Sequence, residues 1–282
     1  MVIVLGLFAA LAYGLSDFIG GMVTRRVPVW QVAFLAQITG TLLAAAAVPL
    51  FSNQLTLTTG LWGVVAGIAS GAANVAIYAG LGGGRMGVVA PLSGVGAAVI
   101  PVLAGVIGGE RPSGTAWLGV GLALPAIWLV ASGASLPVPS GGTLRGKHAD
   151  VALGLLAGLG FGGQFAALGQ IPMSAGVAPV AISQLTSVFV IAGGAALAGA
   201  SVIPRAKGAA GGVIAGALAG VATLTFQLAA QSGELTVAGV LAALYPAVTV
   251  LLAWLVLRER IRVVQAFGLL LAATAVTLVS LG

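Results

Sequence analysis

"LGLFAALAYG", residues 5–14, returns as "LGLLAGLGFG", residues 153–162, at an offset of 148. Two further blocks return at an offset of 149. Gly63, Gly67 and Gly71 come back as Gly212, Gly216 and Gly220. "GGERPSGTAWLGVGLA", from Gly108, comes back as "LRERIRVVQAFGLLLA", from Leu257, which sets Glu110 on Glu259, Arg111 on Arg260 and Gly119 on Gly268. Three blocks at one near-constant offset indicate an internal duplication.

What is duplicated follows from composition. The 282 residues are 60% hydrophobic and 6% charged, against about 25% charged in a soluble domain. A helical span needs roughly 20 apolar residues. Cut at its charged and Pro/Gly-rich breaks, the chain yields ten apolar runs: 2–23, 30–51, 58–81, 87–108, 114–134, 152–171, 179–200, 209–231, 235–257 and 263–281. The fold class expected is an all-α integral membrane protein of ten transmembrane helices. A first five-helix repeat covers 1–134, a polar linker 135–151, and a second repeat 152–282. Because each half has an odd number of spans, the halves cross the membrane in opposite senses, which makes the repeat inverted. That plan is common in carriers that alternate access around a site between their halves.

Two five-span units, each with a Pro-bearing fourth helix, a "GER" or "RER" turn and a closing Gly-rich helix, resemble the drug/metabolite transporter superfamily, in its ten-span EamA-like branch. The resemblance covers essentially the whole chain. It implies secondary transport of a small metabolite, with export of amino acids or related compounds the usual activity.

Several chemistries are disfavoured. There are no cysteines, and the lone histidine, His148, sits in the polar linker, so no cofactor or metal is expected. The spans offer no nucleophile–base pair and one deep acid, so the chain is expected not to be an enzyme. The net charge of +6 comes from Lys and Arg scattered between apolar runs, without the basic stripe that nucleic acid requires. No Walker motif supports direct ATP coupling. The expected partners are a small-molecule substrate, the lipid bilayer and, if the carrier is proton-coupled, protons. A duplicated ten-span chain is sufficient as a monomer. A passive channel or a non-transporting membrane scaffold is the alternative.

Candidate site residues come from polar groups inside the spans. Asp17, in "AYGLSDFIGG", is the only acid placed well within one, and an intramembrane ionisable group points to function by default. It is the candidate for proton coupling or for contact with a substrate amine; an interhelical hydrogen-bond anchor is the structural alternative. At the equivalent place the second half has Gln164 and Phe165, with no charge. The glycine ladders of spans 3 and 8 continue along their faces to Asn74 and Tyr78, and to Thr223 and Gln227. Gln37, Gln164 and Gln184 in spans 2, 6 and 7 join them as candidate substrate contacts, with helix packing the competing role. Pro91, Pro101 and Pro246 are expected to break spans 4 and 9 and free backbone carbonyls. Ser93 and Tyr245 stand beside those breaks. Glu110 and Glu259 are expected to serve as caps and local ion partners at helix ends.

Assigning Lys and Arg to alternate sides puts ten of the eleven on one face, leaving Arg111 on the other. The positive-inside rule then makes the first face cytoplasmic and both termini extracytoplasmic, in the inner (plasma) membrane. The family resemblance more often implies cytoplasmic termini.

Overall fold

The computed structural model describes residues 1–282 except 25, 52–53, 83–85, 133–143, 205–209 and 259. For helical residues 78–82, 86–88, 90 and 144–150 it describes the backbone only. The chain is all-helical among the described residues: α1 (Val2–Thr24), α2 (Val29–Ala47), α3 (Leu57–Gly82), α4 (Met86–Ile107), α5 (Gly114–Ser132), α6 (Leu144–Gly169), α7 (Ala178–Leu197), α8 (Ala210–Ser232), α9 (Leu235–Ala242), α10 (Tyr245–Leu257) and α11 (Val263–Leu281). Nine stretches are long and apolar enough to cross a membrane among the described residues, with α9 and α10 together making one of them. α4 is a further helix of 22 residues, apolar over its shorter described part from Pro91 to Ile107. Helices are the expected solution, because lipid offers no partner for a backbone N–H or C=O and each must be satisfied within its own segment.

Two expectations are corrected and a third holds. The sixth helix begins at Leu144 rather than 152, so the end of the expected linker is helical. Apolar length sets only the part of a helix that lies in lipid, and polar turns can extend beyond it. Pro91 and Pro101 do not break span 4: both lie inside a continuous α4. Neighbouring helices and local adjustments can absorb a proline in a membrane helix. Pro246 does mark a break. Ala243 and Leu244 turn the chain between α9 and α10, and Pro246 takes the second position of α10, where a missing N–H costs little.

Small residues set the packing. Against α7, the ladder of α3 leaves no room for side chains: a methyl on Gly63 would stand 2.6 Å from Pro179 O, and one on Gly71 2.6 Å from Val190 Cβ. The ladder of α8 meets α2 in the same way, Gly212 on Val32, Gly216 on Ala36 and Gly220 on Gly40. Between α4 and α6, a methyl on Gly96 would lie 2.6 Å from the Cα of Gly158. Such close backbone approach is how helices associate where lipid removes the hydrophobic drive.

The pairings come in counterparts. α1 packs on α8 as α6 packs on α3, and α2 on α8 as α7 on α3. α1 lies along α9 and α10 as α6 lies along α4, while α5 with α11 and α2 with α7 pair a helix with its own counterpart. The large buried apolar cluster accordingly draws on both halves, from Ala9, Ala44 and Ala97 to Phe165, Phe226 and Leu241.

Candidate substrate site

The centre is built from α1 outward. Gly14 lets the α1 backbone rest on the start of α10: a methyl there would be 2.8 Å from Tyr245 O. Thr249 Oγ1 donates to Gly14 O at 3.3 Å and to Tyr245 O at 3.2 Å. This docking brings the ring of Tyr13 to 6.3 Å from that of Tyr245 and 5.8 Å from that of Phe165 on α6. Phe165 in turn stacks on Phe226 of α8 at 4.2 Å and 24°. Four helices from both halves thus contribute to one aromatic group, with edge-tilted and offset contacts of the kind aromatic pairs prefer.

The phenols are engaged. Tyr13 Oη lies 2.9 Å from Thr223 Oγ1; the threonine proton can go to Ala219 O, also 2.9 Å away, which leaves Tyr13 the donor. The Ser93 hydroxyl of α4 is hydrogen-bonded to the Tyr245 phenol. Asp17 follows Tyr13 by one turn on the same face, about 6 Å along the axis. Its side chain is exposed. No hydrogen-bond or ion-pair partner completes the carboxylate among the described residues.

The other polar candidates divide. Gln37 is buried and its Nε2 donates to Ser187 Oγ at 2.7 Å, clasping α2 to α7. Asn74 Nδ2 donates to Ser70 O of its own helix at 2.8 Å. Gln184 is buried with its amide nitrogen in the notch left by Gly40, a packing position. Gln164 is buried on α6, one residue before Phe165. Gln227 is wholly buried one turn beyond Thr223, and neither amide atom has a partner among the described residues. The Tyr78 side chain lies outside the described residues. Thr223, Ser93 and Tyr245 therefore join Asp17 at the centre, whereas Gln37 and Gln184 serve helix contacts. Tyr13, Phe165 and Phe226 are further members that polarity alone did not single out. Tyr13 had a signal, its spacing of four from Asp17; so did Phe165, which stands where the second repeat aligns with Asp17.

The model of the EamA-like transporter family matches residues 1–132 and 148–281. The chain belongs to the EamA-like transporter family. A solved structure, described only as "Crystal structure of protein", superimposes on this EamA-like transporter with a TM-score of 0.78. It covers 99% of this chain and 96% of its own, at 16% identity, a likeness of fold. No curated protein matches the chain.

In this EamA-like transporter the "GER" turn has a longer reach than a local cap. Glu110 accepts from Leu235 N at 2.5 Å through Oε1 and from Thr236 N at 2.9 Å through Oε2. A carboxylate of the first half thereby caps a helix of the second, satisfying N–H groups that α9 cannot pair internally. Its neighbour Glu234 titrates above the ordinary glutamate range, through partial burial first and the charge of Glu110 second. Glu259 lies outside the described residues.

Proposed function

We propose that this family member is a secondary active transporter in the inner (plasma) membrane. It exports a small metabolite, an amino acid or organic cation, by alternating access between two inverted five-helix repeats, with proton coupling through Asp17. The observation that carries the reading is the carboxylate of Asp17, partnerless among the described residues, at a centre built from α1, α4, α6, α8 and α10. A group that must exchange protons with both sides has to be reachable and not locked in an ion pair, and an acid within a bundle is a recurrent proton relay. The counterpart pairing of helices and the two family matches support the repeat. The broken ninth span, at the centre, supports a site at the repeat interface.

Counterflow in proteoliposomes, with a panel of amino acids and amines, tests carriage. Exchange without net conductance is expected, and ohmic current would favour a channel. The Asp17→Asn variant is expected to keep its fold and its counterflow but lose accumulation driven by a pH gradient. Undiminished gradient coupling in that variant removes Asp17 from the mechanism.

A further inference from the structure

The fourth helix is ended by its own sequence. Gly109 takes a φ of 100°, while Glu110 N donates to Gly105 O at 2.9 Å and Gly109 N to Val106 O at 3.1 Å, the paired bonds of a glycine-closed helix end. The closure sets the Glu110 side chain beside Gly105, where a methyl would collide with Glu110 Oε2 and stand 2.6 Å from Thr236 Oγ1. Gly105 thus makes the room in which a carboxylate of the first half reaches the first two N–H groups of α9.

What the carboxylate holds is a plug. Every residue of α9, from Leu235 to Ala242, is buried, with α1, α4, α5, α6 and α8 packed around it, and the chain runs from it through Ala243 and Leu244 to Tyr245. The hold is opposed. The charge of Glu234, the residue before α9, repels that of Glu110. Thr236 Oγ1 is buried with no partner among the described residues, a cost that hydration would remove. Eight residues cannot sustain a helix alone. A carrier that alternates access must part its halves at each end in turn, and at this end Glu110 joins them across α9.

We propose that α9 is a gate at this end of the bundle, held shut by the Glu110 carboxylate on its first turn and biased to open by the like charge of Glu234. The gate rests on the transport reading above and gives it a closing contact. Release of the carboxylate frees the start of α9 to unwind into water, and the way to Tyr245 opens with it. Glu110 is a positioning residue that acts through α9.

The test uses the chain's lack of cysteine. Thr236→Cys places one thiol inside the closed end, and its reaction with a charged methanethiosulfonate, in the purified full chain in lipid nanodiscs, reads how often water reaches α9. Adding Glu110→Ala is expected to speed labelling about fivefold or more, the effect of a lost charge-assisted cap on the open fraction. Gly105→Ala, which keeps the acid and fills its place, is expected to do the same. Glu234→Gln is expected to slow labelling about twofold, the scale of a like-charge contact near water. A thiol from Ser183→Cys, wholly buried on α7, is expected to react at one rate in every background, which separates local opening from a loosened fold. Unchanged labelling of Thr236→Cys in either Glu110→Ala or Gly105→Ala overturns the gate, as does equal acceleration at Ser183→Cys. Unchanged or faster labelling with Glu234→Gln overturns the bias. Counterflow in the wild type with unchanged labelling in the variants sinks the gate and leaves carriage standing. The expected labelling without counterflow keeps the opening of α9 and sinks carriage.

Discussion

Gln227 has no exposed surface and, among the described residues, no partner for either amide atom. A buried amide left unsatisfied costs about 1–3 kcal/mol. A protein keeps such a cost where the group serves another state, and in a carrier that state is another stage of the cycle. Gln227→Leu is therefore expected to raise the melting temperature of the purified protein while lowering its transport rate. A lowered melting temperature with transport intact would show that the amide is ordinary packing. Gln227 was legible in the sequence because it continues a glycine ladder. Tyr13 was only partly legible: its spacing of four from Asp17 is a signal, but a tyrosine in an apolar helix reads equally as core, and its contacts with Thr223, Phe165 and Tyr245 distinguish it. Gln37 shows the opposite difficulty: an amide in a span looks the same in sequence whether it is to meet a substrate or is paired, as here, with a serine across a helix contact.

At the scale of elements, the ninth span shows what a proline does and does not determine. Pro91, Pro101 and Pro246 were equivalent in sequence, yet only the last accompanies a break. The outcome depends on which neighbour can satisfy the released carbonyl, a tertiary matter. The short α9 that results is eight residues long, too short to be stable alone. It is held by Glu110 at its start and by close packing at Gly239, where a methyl would stand 2.5 Å from Pro101 Cγ. Replacing Glu110 by alanine removes a charge-assisted cap worth about 1 kcal/mol, up to about 2. We expect a lowered melting temperature and, because α9 leads into Tyr245, weaker substrate affinity. Glu110→Gln, which retains an acceptor, is expected to lose less. Equal melting temperatures in wild type and Glu110→Ala would show the cap to be idle.

Across the whole molecule, the repeated blocks are a feature of the sequence, and apolar length marked out the nine stretches that the helices of the described residues bear out. The way the repeats interlock was not visible, because glycine at spacing four says that a helix is approached closely without saying by which partner. The side of the membrane on which the ends lie rests on the distribution of Lys and Arg, with Arg111 opposite the rest. Terminal tags probed in intact cells are expected to be accessible from outside at both ends. Labelling only after permeabilisation would reverse the assignment.

The glycine notches of α3 close on α7, those of α8 on α2, and the notch at Gly96 on Gly158 of α6. The first half thus enters the membrane with faces shaped for helices not yet synthesised. Its five spans have little to close upon among themselves, so the nascent chain must be shielded until the sixth, seventh and eighth spans arrive. A ribosome stalled in the linker would leave a fragment that is fully inserted yet unassembled, a substrate for membrane quality control. The interleaving of the two halves makes assembly of this family member a late event in its synthesis.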